Sequence, residues 1–243
     1  MISLVTRTKL LILVQLIVFN HCIIGQIPPN NHSSGTWNLI NLKYNLDKFV
    51  FLTFEGQLRS LGTYTDFHYH EFSQSTNLRI NPNLITTLGI GKYDTYKEGG
   101  NFITPKNNDE IRLWPQLTTF QRFEHITIEH RYRIELRFAT NNYRNRYRYR
   151  LGIQIPFGEQ KDGFIPCSIQ LNNELFFSEN EPYFERNRLQ GIFNYKPSRV
   201  INLQTGYLYQ FDYKIVDEIG RSFFMLGINF ELYKKKINKN PIE

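Results

Sequence analysis

The chain has 243 residues, 41% of them hydrophobic and 15% aromatic, with a formal net charge of +7 and only two cysteines, Cys22 and Cys167. That length suffices for a sizeable core, and with nothing in the middle of the chain resembling a linker it reads as a single domain. The cysteine count excludes a disulfide-stapled scaffold, and no segment reaches the roughly 20 apolar residues of a membrane-crossing helix, so any residence in a membrane has to be through strands.

In chain order, Arg7 and Lys9 precede an apolar run from Leu10 to Phe19 broken only by Gln15, and Gly25 precedes Gln26. This is the layout of a secretory signal peptide over residues 1–25. Phe19-Asn20-His21 before Cys22 lacks the small residues of a lipidation site. Residues 26–35, rich in Pro, Asn and Ser, read as a flexible lead, residues 36–233 as the folded domain, and residues 234–243 as a basic tail. Strand-like runs follow one another near 36–45, 48–59, 66–78, 82–95, 111–121, 125–139, 143–156, 164–177, 183–196, 199–213 and 221–232, with turn residues between them and no helical period competing. Short turns are expected at Asn45-Leu46-Asp47, Asn81-Pro82-Asn83, Thr140-Asn141-Asn142 and Lys196-Pro197-Ser198, and a long external loop over about 96–110. Eleven runs are visible, whereas bacterial single-chain barrels use even numbers. The expectation is therefore all-β: one antiparallel up-and-down transmembrane β-barrel of about twelve strands, with ten as the alternative.

Residues 126–155 carry the clearest pattern. Ile126, Ile128, Tyr132, Ile134, Leu136 and Phe138 share one parity, and Thr127, Glu129, Arg131, Arg133, Glu135 and Arg137 the other. The next run sets Tyr143, Tyr147, Tyr149, Leu151, Ile153 and Ile155 against Arg144, Arg146, Arg148, Arg150 and Gln154. A period of two over this length means strands with one greasy and one cationic face. Removing Arg7 and Lys9 with the leader lowers the net charge to +5, and seven arginines against Glu129 and Glu135 give this region the same +5. The basic excess is thus one localised face, and an exported chain with Tyr and Arg on opposite faces offers no nucleic-acid surface.

One apolar face per strand fits a soluble periplasmic or surface β protein with that face inside, and equally a membrane barrel with it turned to lipid. The leader, the lack of a disulfide, long strands and aromatic residues near strand ends (Phe138, Tyr143, Phe157, Tyr195, Tyr213) favour the lipid-facing barrel. Its partners are then outer-membrane lipid and, during biogenesis, the barrel-assembly machinery.

Three groups of residues also resemble an uncharacterised bacterial family, common in Bacteroidetes and numbered 2490 among the domains of unknown function. They are Arg112-Leu113-Trp114-Pro115-Gln116-Leu117, then Glu129 to Glu135 with Arg137-Phe138, and then Tyr143 to Leu151. Asn173 to Phe177 and Glu185 to Leu189 look like its later landmarks, and the similarity runs from about Trp37 to Leu232. The resemblance implies an outer-membrane-type β-barrel of a Gram-negative bacterium and brings no activity with it.

If the apolar face meets lipid, Arg131, Arg133, Arg137, Arg144, Arg146, Arg148 and Arg150 project into the lumen with Glu129 and Glu135. They would form an anion-attracting interior for small anionic solutes, or a salt-bridged plug. Glu55, Glu174 and Asp212 are further carboxylates for it, while Glu185 falls on the wrong parity. His68 and His70, two apart, share a face, but nothing at ligand spacing completes a metal site, and no cofactor motif is present. His130 sits on the apolar parity, where only an interfacial position or a partner on the next strand accounts for it. A lipid hydrolase would need a hydroxyl, an imidazole and an orienting group together. Ser73 and His70 fall on opposite faces and His32-Ser33-Ser34-Gly35 lies in the lead, so no catalytic constellation is expected.

Overall fold

The computed structural model describes residues 34–140, 142–160, 163–213 and 219–234. The leader at 1–25, most of the lead and the tail beyond Lys234 lie outside the described residues. All regular elements among the described residues are strands. In chain order they are β1 (Gly35–Asn45), β2 (Val50–Gly62), β3 (Thr65–Asn81), β4 (Leu84–Lys97), β5 (Ile103–Arg122), β6 (Thr127–Ala139), β7 (Asn142–Phe157), β8 (Cys167–Ser178), β9 (Phe184–Tyr195), β10 (Ile201–Asp212) and β11 (Ile219–Tyr233).

Each strand pairs antiparallel with its sequence neighbour, and β1 meets β11 to close a barrel. The number is eleven, one fewer than the twelve expected from the rule of even counts. In a meander with an odd number of strands the first and last run in the same direction. The closing seam is therefore parallel, with Asn38 opposite Leu226 and Leu42 opposite Phe230, and the barrel is mixed where a wholly antiparallel one was expected.

Local chemistry explains the hairpins. Asp47 Oδ1 accepts hydrogen bonds from the backbone N–H of Phe49 and Val50, both at 2.7 Å, and turns β1 into β2. Asn81 Oδ1 accepts from Asn83 N–H at 2.8 Å between β3 and β4. The long loop expected over 96–110 is instead mostly strand: β4 and β5 run on past the neighbouring hairpins, and only residues 98–102 turn. Asp66 Oδ1 holds that turn by accepting from the N–H groups of Gly99 (3.1 Å) and Gly100 (3.0 Å), with Gly99 in the left-handed region at φ 97°. Polar residues at 106–110 suggested a loop, but they are spent on pairing with β4, where Asn108 faces Thr95 and Asp109 faces Asp94.

Alternation sorts the side chains between the two sides of the wall. Outward lie Phe72 (62% exposed), Leu88 (58%), Ile90, Tyr132, Ile134, Leu171 and Phe224, all exposed. The five aromatic residues near strand ends, Phe138, Tyr143, Phe157, Tyr195 and Tyr213, are also exposed. Inward lie Glu135, with no exposed surface, and Arg112, Arg137, Arg146, Glu174 and Arg188, all buried. The polarity is the inverse of a soluble protein's, where apolar groups are inside and charged groups almost never are. The inner face also holds a small apolar cluster of Trp37, Ile192, Leu208, Phe223 and Met225. Between β4 and β5, the Trp114 ring occupies the space a side chain at Gly89 would fill, since a Cβ there would stand 2.3 Å from it.

Candidate functional site

The lumen is built on the register of β6 against β7. Arg131 faces Arg150, Arg133 faces Arg148, Glu135 faces Arg146 and Arg137 faces Arg144. Three of these four rungs put like charges directly opposite, which destabilises a bare strand pair. The arrangement persists because carboxylates arrive from other strands.

Glu135 is the centre. Its Oε2 accepts from Arg146 Nε (2.8 Å) and Nη2 (2.5 Å), its Oε1 accepts from Arg148 Nη1, and Arg133 Nη1 stands 3.7 Å away. Glu174, from β8, accepts from Arg148 Nη2 at 2.8 Å and from Arg131 Nη2. Glu110, from β5, accepts from Arg137 Nη2 (2.6 Å) and Arg112 Nε (2.6 Å). Glu185, from β9, lies 3.2 Å from Arg146, 3.6 Å from Arg144 and 3.7 Å from Arg137. Glu129 accepts from Arg150 Nη2 at 2.5 Å. Charge-assisted and forked bonds of this kind are the strong ones, and here they are shielded from bulk water.

All nine residues singled out in the sequence, Arg131, Arg133, Arg137, Arg144, Arg146, Arg148, Arg150, Glu129 and Glu135, therefore face the lumen; Glu129 and Arg150 pair with each other, and the other seven share one ion-pair network. Glu185 corrects the parity reading. The β8–β9 pairing shifts register between Phe176 and Phe177, so that Arg186 and Phe184 are matched while Glu185 is the extra residue, and its carboxylate reaches the interior. A second register shift, at Arg59/Ser60, parts the two histidines that alternation placed on one face: His68 lines the lumen, whereas His70 lies outside with its Nε2 3.2 Å from Tyr96 OH. His130 is also outside, with Nδ1 2.9 Å from Tyr149 OH on the next strand. Among the described residues no three His, Cys, Asp or Glu side chains gather as a metal site would need.

Sequence reasoning missed Arg59, Arg112, Arg186, Arg188 and Arg221, which also line the cavity. They occur singly or in pairs on four other strands, so no local run advertises them. It also missed two inward aromatics. Phe176 has no exposed surface and lies within 5.7 Å of the guanidinium carbons of Arg146, Arg148, Arg186 and Arg188. Trp37 is stacked by Arg59 at 3.4 Å and Arg188 at 4.9 Å. Both were legible from parity: Phe176 alternates with Leu175 and Phe177, and Trp37 with Asn38 and Ile40.

What remains open inside is a cavity of about 620 Å³. Among the described residues twelve arginines line it against six carboxylates, and Glu110, Glu129 and Glu135, which pair with those arginines, raise the carboxylates to nine, an excess of three positive charges. A volume of this size is within the roughly 300–1,000 Å³ of small-molecule sites.

Residues 34–218 match the model of a family described as "Protein of unknown function (DUF2490)", and the chain belongs to that family. No curated protein matches the chain.

Proposed function

We propose that this member of the family is a β-barrel of the bacterial outer membrane, exported by its leader and inserted by the assembly machinery, whose lumen binds small anionic solutes. The observation that carries the reading is the inverted polarity: an apolar belt on the outside and a guanidinium-rich interior. An apolar exterior of this extent is unfavourable in water and favourable against hydrocarbon. Closure of the strands leaves no unpaired edge to satisfy in lipid. Aromatic residues at the strand ends suit the two interfaces of a bilayer.

Binding suits the lumen better than free passage. The ion pairs of Glu110, Glu135, Glu174 and Glu185 tie strands β5 to β9 together across the interior, so a permanently wide channel is not what the side chains leave. The surplus of three arginines nevertheless favours an anion in the remaining space. Barrel refolded into liposomes is expected to float with them in a density gradient and to resist alkaline carbonate extraction. In planar bilayers any conductance is expected to prefer anions, and replacing Arg146 and Arg148 with Ala is expected to change it. A protein that stays monodisperse without detergent and pellets apart from liposomes would overturn the membrane reading. Cation preference would overturn the anion reading.

A further inference from the structure

Arg188 stands apart from the other arginines around the cavity. It is only 6% exposed, yet it meets no carboxylate within 4.0 Å among the described residues, whereas the other eleven cavity-lining arginines each have one. The carboxylate directly opposite it in the β8–β9 register, Glu174, is turned to Arg148 and Arg131. From β10 it receives only an amide: its Nε donates to Gln210 Oε1 at 2.8 Å. Its guanidinium carbon lies over two rings, Trp37 at 4.9 Å and Phe176 at 4.7 Å. A guanidinium stacked in this way keeps its terminal N–H edge free for an acceptor in the ring-stacking plane. Leaving a buried charge without a counter-ion is costly, so the site is built for an anion that the chain does not itself supply.

The surroundings say what kind of anion. Trp37, Leu39, Ile192 and Met225 line the same cavity, and three of them belong to the inner apolar cluster. Arg59, also stacked on Trp37, has a buried Nε with no hydrogen-bond partner. The cavity therefore has one cationic edge beside one apolar wall.

We infer that the edge of Arg188, assisted by Arg59, binds the oxyanion of a small organic anion, a sulfonate, phosphate monoester or carboxylate, whose apolar body lies against Trp37, Ile192 and Met225. This deepens the lumen reading and rests on it. Calorimetric titration of the refolded barrel in non-ionic detergent, with benzenesulfonate and with inorganic sulfate as probes, tests it. Benzenesulfonate is expected to bind about tenfold more tightly than sulfate, because its ring is buried against the apolar wall, and to change the fluorescence of Trp37. R188Q is expected to weaken benzenesulfonate about tenfold or more, R188K to fall between, and R122Q, at an exposed arginine that donates to Pro82 O and does not line the cavity, to stay within about twofold. The heat-dependent shift of the folded band in electrophoresis verifies that each variant is folded, and R188K carries the test if R188Q does not fold. Undiminished binding by R188Q or R188K refutes this site while leaving an anion-binding lumen in place. Equal affinity for sulfate and benzenesulfonate refutes the apolar part. No heat with either probe on the wild-type barrel takes down the anion-binding lumen itself.

Discussion

At the residue scale the interior is governed by shared carboxylates. Glu135 is fully buried and serves three arginines, so its loss strands several guanidinium groups at once. Removing one partner of a buried pair typically costs about 3–5 kcal/mol, and E135Q is expected to lower the stability of the folded barrel by that order in urea unfolding from micelles. Glu129 serves Arg150, and its side chain is about one-fifth exposed. That exposure screens the pair, so E129Q is expected to cost on the order of 1 kcal/mol. Equal midpoints for the two variants would contradict the hub assignment.

Outside the wall, two carboxylates titrate for simpler reasons. The N–H groups of Val50 and Phe49 hold the Asp47 carboxyl below its ordinary value of 3.8. Those of Asn145, from the backbone at 2.9 Å and the side chain at 2.8 Å, do the same for Glu179 in the β8–β9 turn. A depressed folded value means that the stabilisation is complete above the unfolded value and is lost as pH falls through the folded one. The amide resonances of Phe49 and Val50 are thus expected to shift together with a midpoint below 3.8, and D47N is expected to abolish the transition. A midpoint at or above that value would show that the turn does not depend on the carboxylate.

At the element scale, most of the architecture was legible. Eleven runs with a period of two are the eleven strands, displaced by a residue or two at most ends, because alternation and turn residues report local backbone geometry directly. The misreadings arose where local pattern and global closure part company. Counting strands up to twelve imposed a rule about other barrels on a chain whose own runs numbered eleven. Glu185 was placed on the wrong face, and His68 on the same face as His70, because a β-bulge adds a residue to one strand without leaving a signature in the sequence. The segment 103–110 looked like a loop because its inward partners, Tyr93 for Glu110 and Thr95 for Asn108, lie on another strand. The ion-pair partners of β6 and β7 were only partly visible for the same reason, since Glu110, Glu174 and Glu185 reach them from strands the local pattern does not connect.

The parallel seam makes its own prediction. In a Cys167→Ser background, cysteines at Asn38 with Leu226 and at Leu42 with Phe230 are expected to be joined by a short bifunctional thiol reagent, since each pair is matched across β1 and β11. Cysteines at Asn38 with Phe230 are expected not to join. The opposite outcome would mean that the barrel closes with an antiparallel pair.

For the whole molecule, the sequence left one symmetric choice open, because a two-residue period defines two faces without saying which is inside. The fold resolves it. Closing the sheet with the arginines inward brings carboxylates from four strands to the β6–β7 ladder, whereas an outward face would leave a ladder of like charges without counter-ions. The apolar residues are then on the outside, and the same closure that pairs the charges creates the surface suited to lipid. Fold and proposed function are in this sense one arrangement.

Four consecutive positions on β8 test that direction most directly. Ile169 and Leu171 are exposed on the outer wall, whereas Ser168 is buried and Gln170 lines the cavity. Nitroxide labels placed singly at these positions, in barrel reconstituted into bilayers and lacking Cys167, are predicted to collide with lipid-dissolved oxygen at 169 and 171 and to be sheltered from it at 168 and 170. Labels at 169 and 171 that are reached instead by a water-soluble nickel chelate, with no two-residue alternation in oxygen contact, would contradict the account.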